Sequence, residues 1–89
     1  MKIVYDPAFV QKLKKVDVRI RKQVKARILL FWLNPHDPQL RNHSLKRKYA
    51  GYHSIDITED WRAIYKEIIQ GEELIAYFVI FGTHEELYK

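Results

Sequence analysis

Apolar residues in the first third of the chain recur at helical spacing, whereas those in the second half crowd into short runs rich in Ile, Tyr, Phe and Val. Lys2 to Tyr5 reads as a short strand, with Ile3 and Tyr5 on one face and Val4 on the other. Asp6-Pro7 then opens a helix, because Asp accepts a bond from the orphan amides of a first turn and Pro at the first helical position sacrifices none. Phe9, Leu13 and Val16 follow as a one-sided stripe, which leaves Lys12, Lys14 and Lys15 for solvent or a polyanion. Asp17 is placed to cap a second helix with the stripe Ile20, Val24, Ile28 and Phe31, and the two helices form a hairpin. Asn34-Pro35 ends it and His36-Asp37-Pro38 prolongs a loop, since a residue before Pro is pushed out of helical geometry; no strand is expected before about Ser44.

Beyond that point the pattern becomes β-like. Tyr52 to Thr58, Trp61 to Ile69 and Glu73 to Phe81 read as an antiparallel meander, with a Gln70-Gly71 turn between the last two. Leu74 to Phe81 is apolar at nearly every position, as in a central strand covered on both faces. The order is β-α-α-β-β-β, an α+β fold with an N-terminal strand and a helical hairpin packed on an antiparallel sheet. At 89 residues it forms one domain over 1–89, without repeats or low-complexity segments.

Composition narrows the setting. With 47% hydrophobic and 13% aromatic residues the chain can bury a core without a cofactor. It has no cysteine, which excludes disulfides and thiolate metal sites and makes a cytoplasmic location the expectation. Met1 to Pro7 lacks the apolar stretch of a signal peptide, and the longest apolar run, Ile28 to Leu33, is too short to span a bilayer; neither secretion nor membrane insertion is expected. The formal charge of +5 is unevenly spread: residues 1–48 carry thirteen Lys/Arg against three Asp, a net +10, and residues 49–89 carry three against eight acidic groups, a net −5. The basic half would attract either a phosphate backbone or an acidic protein, and charge alone does not choose between them.

Three pieces stand in a row: His43-Ser44-Leu45-Lys46 through Gly51-Tyr52, then Asp60-Trp61-Arg62-Ala63-Ile64-Tyr65, then Gly82-Thr83-His84-Glu85-Glu86-Leu87-Tyr88. Their order and spacing resemble the YafQ-like branch of the RelE/ParE toxin superfamily, and the helical hairpin before the sheet extends the resemblance to the whole chain. It implies a toxin of a type II toxin–antitoxin pair: an mRNA endoribonuclease acting on the ribosome, needing no metal or other cofactor, and silenced by a cognate antitoxin. By motif position, His43, Asp60 and His84 match polar active-site residues of the branch and Tyr88 its terminal aromatic. Several relatives have a further histidine on the strand before the Asp-Trp pair, where this chain has Asp56.

Metal-free RNA cleavage needs a base for the 2′-OH, a cation for the phosphorane and an acid for the departing 5′ oxygen. Imidazole, with an ordinary pKa of about 6.5, suits both proton steps, and the permanently charged guanidinium suits the phosphorane. The candidates are therefore His84 as acid, His43 or Asp56 as base, Asp60 to orient a histidine and Arg62 to bind the scissile phosphate. Lys46, Arg47 and Lys48 could hold flanking phosphates and Tyr88 could stack a base. Each has a plainer alternative. Arg62 fits a solvated strand face, His43 an exposed loop, Asp60 a turn cap, Tyr88 sheet packing and the basic triplet a solvated loop. His84, after a Gly-Thr turn, is read as a loop residue, and loop positions favour function. Trp61 is read as core, and the spacing of His36 and His53 argues against a four-histidine metal site. Two other readings remain: a ParE-type toxin that inhibits a DNA topoisomerase, and a catalytically impaired toxin that only binds antitoxin.

Overall fold

Both aspartates cap the helices as their positions predict. In the computed structural model, which describes residues 1–88, Asp6 accepts from the Ala8 amide at 2.9 Å and starts α1 (Pro7–Lys15). Asp17 accepts from the Arg19 amide at 2.7 Å and starts α2 (Val18–Leu33), which Asn34 terminates. Asp37 repeats the device on a single 3-10 turn, Pro38–Leu40. The strands are β1 (Lys2–Tyr5), β2 (His43–Ser44), β3 (His53–Asp56), β4 (Trp61–Gln70) and β5 (Glu73–Thr83), followed by a short helix α3 (His84–Tyr88). None of the described helices is long and apolar enough to cross a membrane.

The five strands form one sheet in the order β1-β5-β4-β3-β2. Strands β3 to β5 are the antiparallel meander the sequence predicts; the two-residue β2 adds an unpredicted antiparallel edge strand beside β3, and β1 lies parallel to β5, with Lys2 opposite Ile75 and Tyr5 opposite Phe78. The sheet is thus mixed, and β5 is interior because β1 covers its second edge.

The helical hairpin packs on one face, driven by removal of its apolar stripe from water. Phe9, Val24, Ile28 and Phe31 are buried against Ile55, Ala63, Tyr65 and Phe78, with Ile20 and Leu13 packed at the margin. Phe78 is the hub: Phe9 and Phe31 meet its ring at 5.8 and 5.3 Å, both edge-on, and each such buried ring contributes roughly 2–3 kcal/mol. Trp61, half-buried, stacks on Phe81 at 4.9 Å, in keeping with its expected core role.

Candidate active site

The register of β3 against β4 places Asp56 directly opposite Arg62 and Ile55 opposite Ala63. Cross-strand partners share a face and neighbours alternate, so the Ile55/Ala63 pair enters the core while Asp56 and Arg62 emerge on the face away from the hairpin. There Asp56 Oδ1 pairs with Arg62 Nε at 3.0 Å and Oδ2 accepts from Arg41 Nε at 2.5 Å. Arg62 is buried, and its Nη1 also donates to the carbonyls of Thr58 and Trp61, at 2.9 and 3.1 Å. Neither expected role fits it simply. It is no solvated strand residue, and three of its five N–H donors are already used.

Arg41 was not legible as a site residue. It follows the 3-10 turn in the left-handed backbone region, φ 45° and ψ 46°, a conformation costing a non-glycine residue roughly 1–3 kcal/mol. That geometry does two things. It aims the guanidinium at Asp56, and it turns the Arg41 carbonyl toward His43 Nδ1, 2.8 Å away. A carbonyl can only accept, so Nδ1 carries the hydrogen and the neutral His43 ring presents Nε2 as its lone pair. Next to it, Asn42 ties the loop to the sheet by donating to Tyr65 Oη at 2.7 Å and to the Pro35 carbonyl at 2.9 Å. Burial pushes the Tyr65 phenol up from its ordinary pKa, keeping it neutral in that bond.

His84 opens α3 rather than lying in a loop, a correction with a local cause: Gly82 and Thr83 still belong to β5. Thr83 Oγ1 accepts from the Glu86 amide at 3.2 Å while Glu86 Oε1 accepts from the Thr83 amide at 2.8 Å. This reciprocal capping box is written in the sequence as Thr-x-x-Glu, a signal that would have located the helix. Glu86 also meets Lys12 Nζ at 2.8 Å, and the Lys12 ammonium together with the Thr83 amide holds its carboxyl down at about 2. Gly82 leaves room beneath α3, since a Cβ there would stand 3.3 Å from both Glu86 Oε1 and Leu87 Cδ2. Tyr88, one helical turn on, leans on the His84 ring at 4.7 Å and meets Tyr49 edge-on at 6.3 Å.

These elements enclose an open cleft of about 590 Å³ lined by Arg41, Asn42, His43, Leu45, Asp56, Arg62, His84 and Tyr88. Five of the expected residues thus come together: His43, Asp56, Arg62, His84 and Tyr88. Asp60 does not line the cleft. Its carbonyl accepts from the His84 amide at 2.8 Å, so it holds a histidine in place through its backbone. Lys46, Arg47 and Lys48 are exposed beside the cleft, with Arg47 also at positive φ and Lys48 over the Tyr49 ring at 5.1 Å. His53, which the sequence left without a partner, stacks on Tyr65 and lies 3.2 Å from Glu67, away from the cleft. Among the described residues no cluster of three or more His, Asp or Glu could hold a metal ion.

The model of the family described as bacterial toxin of type II toxin–antitoxin system, YafQ, matches residues 1–89. Among solved structures, YafQ from E. coli superposes with a TM-score of 0.77 at 24% identity, covering 99% of this chain and 98% of that one. The YoeB/ParE toxin from Agrobacterium tumefaciens gives a TM-score of 0.75 at 23% identity, over 94% of this chain and 99% of that one. The E. coli DinJ–YafQ toxin–antitoxin complex gives 0.63 at 22% identity, over 99% and 97%. No curated protein sequence matches the chain.

Proposed function

Since the chain belongs to the YafQ family of type II toxin–antitoxin toxins, we propose that it is a metal-independent mRNA endoribonuclease that acts on translating ribosomes in the cytoplasm and stops translation. One observation carries this reading: two histidines from distant parts of the chain, His43 and His84, open onto one cleft together with arginine and a terminal tyrosine. A surface that only bound another protein would not need two imidazoles and a guanidinium converging on one open hollow.

His43 Nε2 takes the proton of the attacking 2′-OH as that oxygen bonds to phosphorus. His84 donates a proton to the 5′ oxygen as the P–O5′ bond breaks, leaving a 2′,3′-cyclic phosphate. Asp60 holds His84 through the backbone, and Asp56 serves as a counter-charge to arginine, since both its oxygens are engaged by guanidinium groups. Tyr88 offers a ring for base stacking, and Lys46, Arg47 and Lys48 stand where flanking phosphates would run. Expression of the protein followed by mapping of transcript 5′ ends tests the proposal: new ends inside translated codons support it, and an unchanged map with arrested growth refutes it.

A second reading, a toxin that binds its target or antitoxin without cutting, is favoured by Asp56 standing where several relatives have histidine. It includes inhibition of a DNA topoisomerase, and predicts the unchanged map.

The partner that silences the toxin is a cognate antitoxin, as in the DinJ–YafQ complex. An apolar groove of about 360 Å³ between α1 and α2 receives it. Val10, Leu13, Val24 and Ile28 line the groove and Arg21 and Lys25 flank it. That combination fits an amphipathic segment with apolar residues inward and carboxylates along its edges. A second copy of the toxin would bring the same cations together.

A further inference from the structure

Resting on the nuclease reading above, we infer that Arg41, and not Arg62, is the cation that binds the scissile phosphate, and that Asp56 is the bracket holding it in place. The two arginines share one carboxylate but differ in what they have left to give. Arg62 has a side chain 10% exposed, with Nε on Asp56 and Nη1 on two carbonyls. It is a buried counter-charge that fixes Asp56. Arg41 has a side chain 69% exposed and spends only Nε on Asp56 among the described contacts, so both of its Nη groups remain for the cleft. A guanidinium gripped at Nε and open at Nη is oriented before ligand arrives, and its fork matches two oxygens of a phosphodiester.

The backbone adds a second, independent reason. Arg41 holds a left-handed conformation that glycine would hold without strain, and its carbonyl fixes the hydrogen on His43 Nδ1. One residue therefore sets the tautomer of the base and the position of the anion-binding cation. Phosphorus, base and cation are placed by the same short segment, residues 41–43.

The left-handed backbone also supplies a clean test. Arg41→Gly removes the guanidinium while favouring the native φ and keeping the carbonyl on His43; Arg41→Lys restores a point charge without the fork. Two measurements are made: cleavage of a message on programmed ribosomes across pH, and binding of the corresponding free RNA fully 2′-O-methylated, which cannot be cut. Arg41→Gly is expected to lower kcat/KM on the order of 10²-fold with the shape of the pH profile unchanged, and to keep the thermal midpoint. The slope of log binding constant against log salt should fall by about 0.7, the share of one phosphate contact on a single strand. Arg41→Lys should recover the slope and only part of the rate. An unaltered salt slope in Arg41→Gly overturns the assignment, as does a shifted pH profile, which would make Arg41 a tuner of His43 instead. Failure of the wild-type protein to cleave would sink the nuclease reading, yet the binding arm would still decide whether Arg41 holds a phosphate.

Discussion

His84 carries the sharpest single-residue expectation. Its ring is exposed at the start of α3 and supports no part of the core, so His84→Ala should leave the fold intact while lowering the cleavage rate about 10²–10⁴-fold. An unchanged rate, measured on the same substrate, would remove it as the acid. Asp56 makes the opposite case. Replacing it with histidine strips two guanidiniums of their shared carboxylate, one of them buried. Asp56→His should therefore cost about 3 kcal/mol in urea unfolding, and parental stability would show that the bracket is not structural. Sequence reading reached His43, His84 and Tyr88 through their spacing in the motif. It missed Arg41 because nothing in a one-dimensional pattern marks an arginine that will adopt positive φ, and it could not see that Arg62 is buried, because strand alternation reveals the face but not what covers it.

At the level of elements, α3 is a five-residue clasp that is too short to be helical on its own. Glu86 secures it by three bonds: its carboxylate accepts from Lys12 Nζ and from the Thr83 amide, and its own amide donates to Thr83 Oγ1. Its folded pKa of about 2 lies below the ordinary 4.5, so ionised Glu86 favours the docked helix at neutral pH. That contribution is present in full above about 4.5 and is lost as pH falls toward 2, modestly, because the pair is exposed to water. Protection from hydrogen exchange at residues 84–88, taken relative to the intrinsic rate at each pH, should fall over that interval, whereas Glu86→Gln should be weakly protected throughout; protection that is flat with pH would contradict the clasp. The hairpin and the meander were legible because their periods differ so clearly. The neighbour order was not: alternation cannot say that β1 pairs with β5, and two residues, His43 and Ser44, are too few to announce a strand.

On the scale of the whole molecule, the basic half and the apolar groove of α1 and α2 coincide, since Arg21 and Lys25 border a hollow lined by Val10, Leu13, Val24 and Ile28. Co-expression with a cognate antitoxin should restore growth and yield a complex, and Arg21→Glu with Lys25→Glu should weaken it at low salt more than at high salt. Binding unchanged by the two substitutions would locate the antitoxin elsewhere. The uneven charge was plain in the sequence, while the groove required the hairpin's actual spacing. The parallel pairing of Lys2 with Ile75 has a bearing on time as well as on shape. On a growing chain β1 must wait for β5, and the cleft for residues 84–88. At 5–20 residues per second that is a delay of roughly 4–15 s. A ribosome translating this message thus carries a toxin without its cleft until residues 84–88 emerge, and the antitoxin has those seconds to be ready.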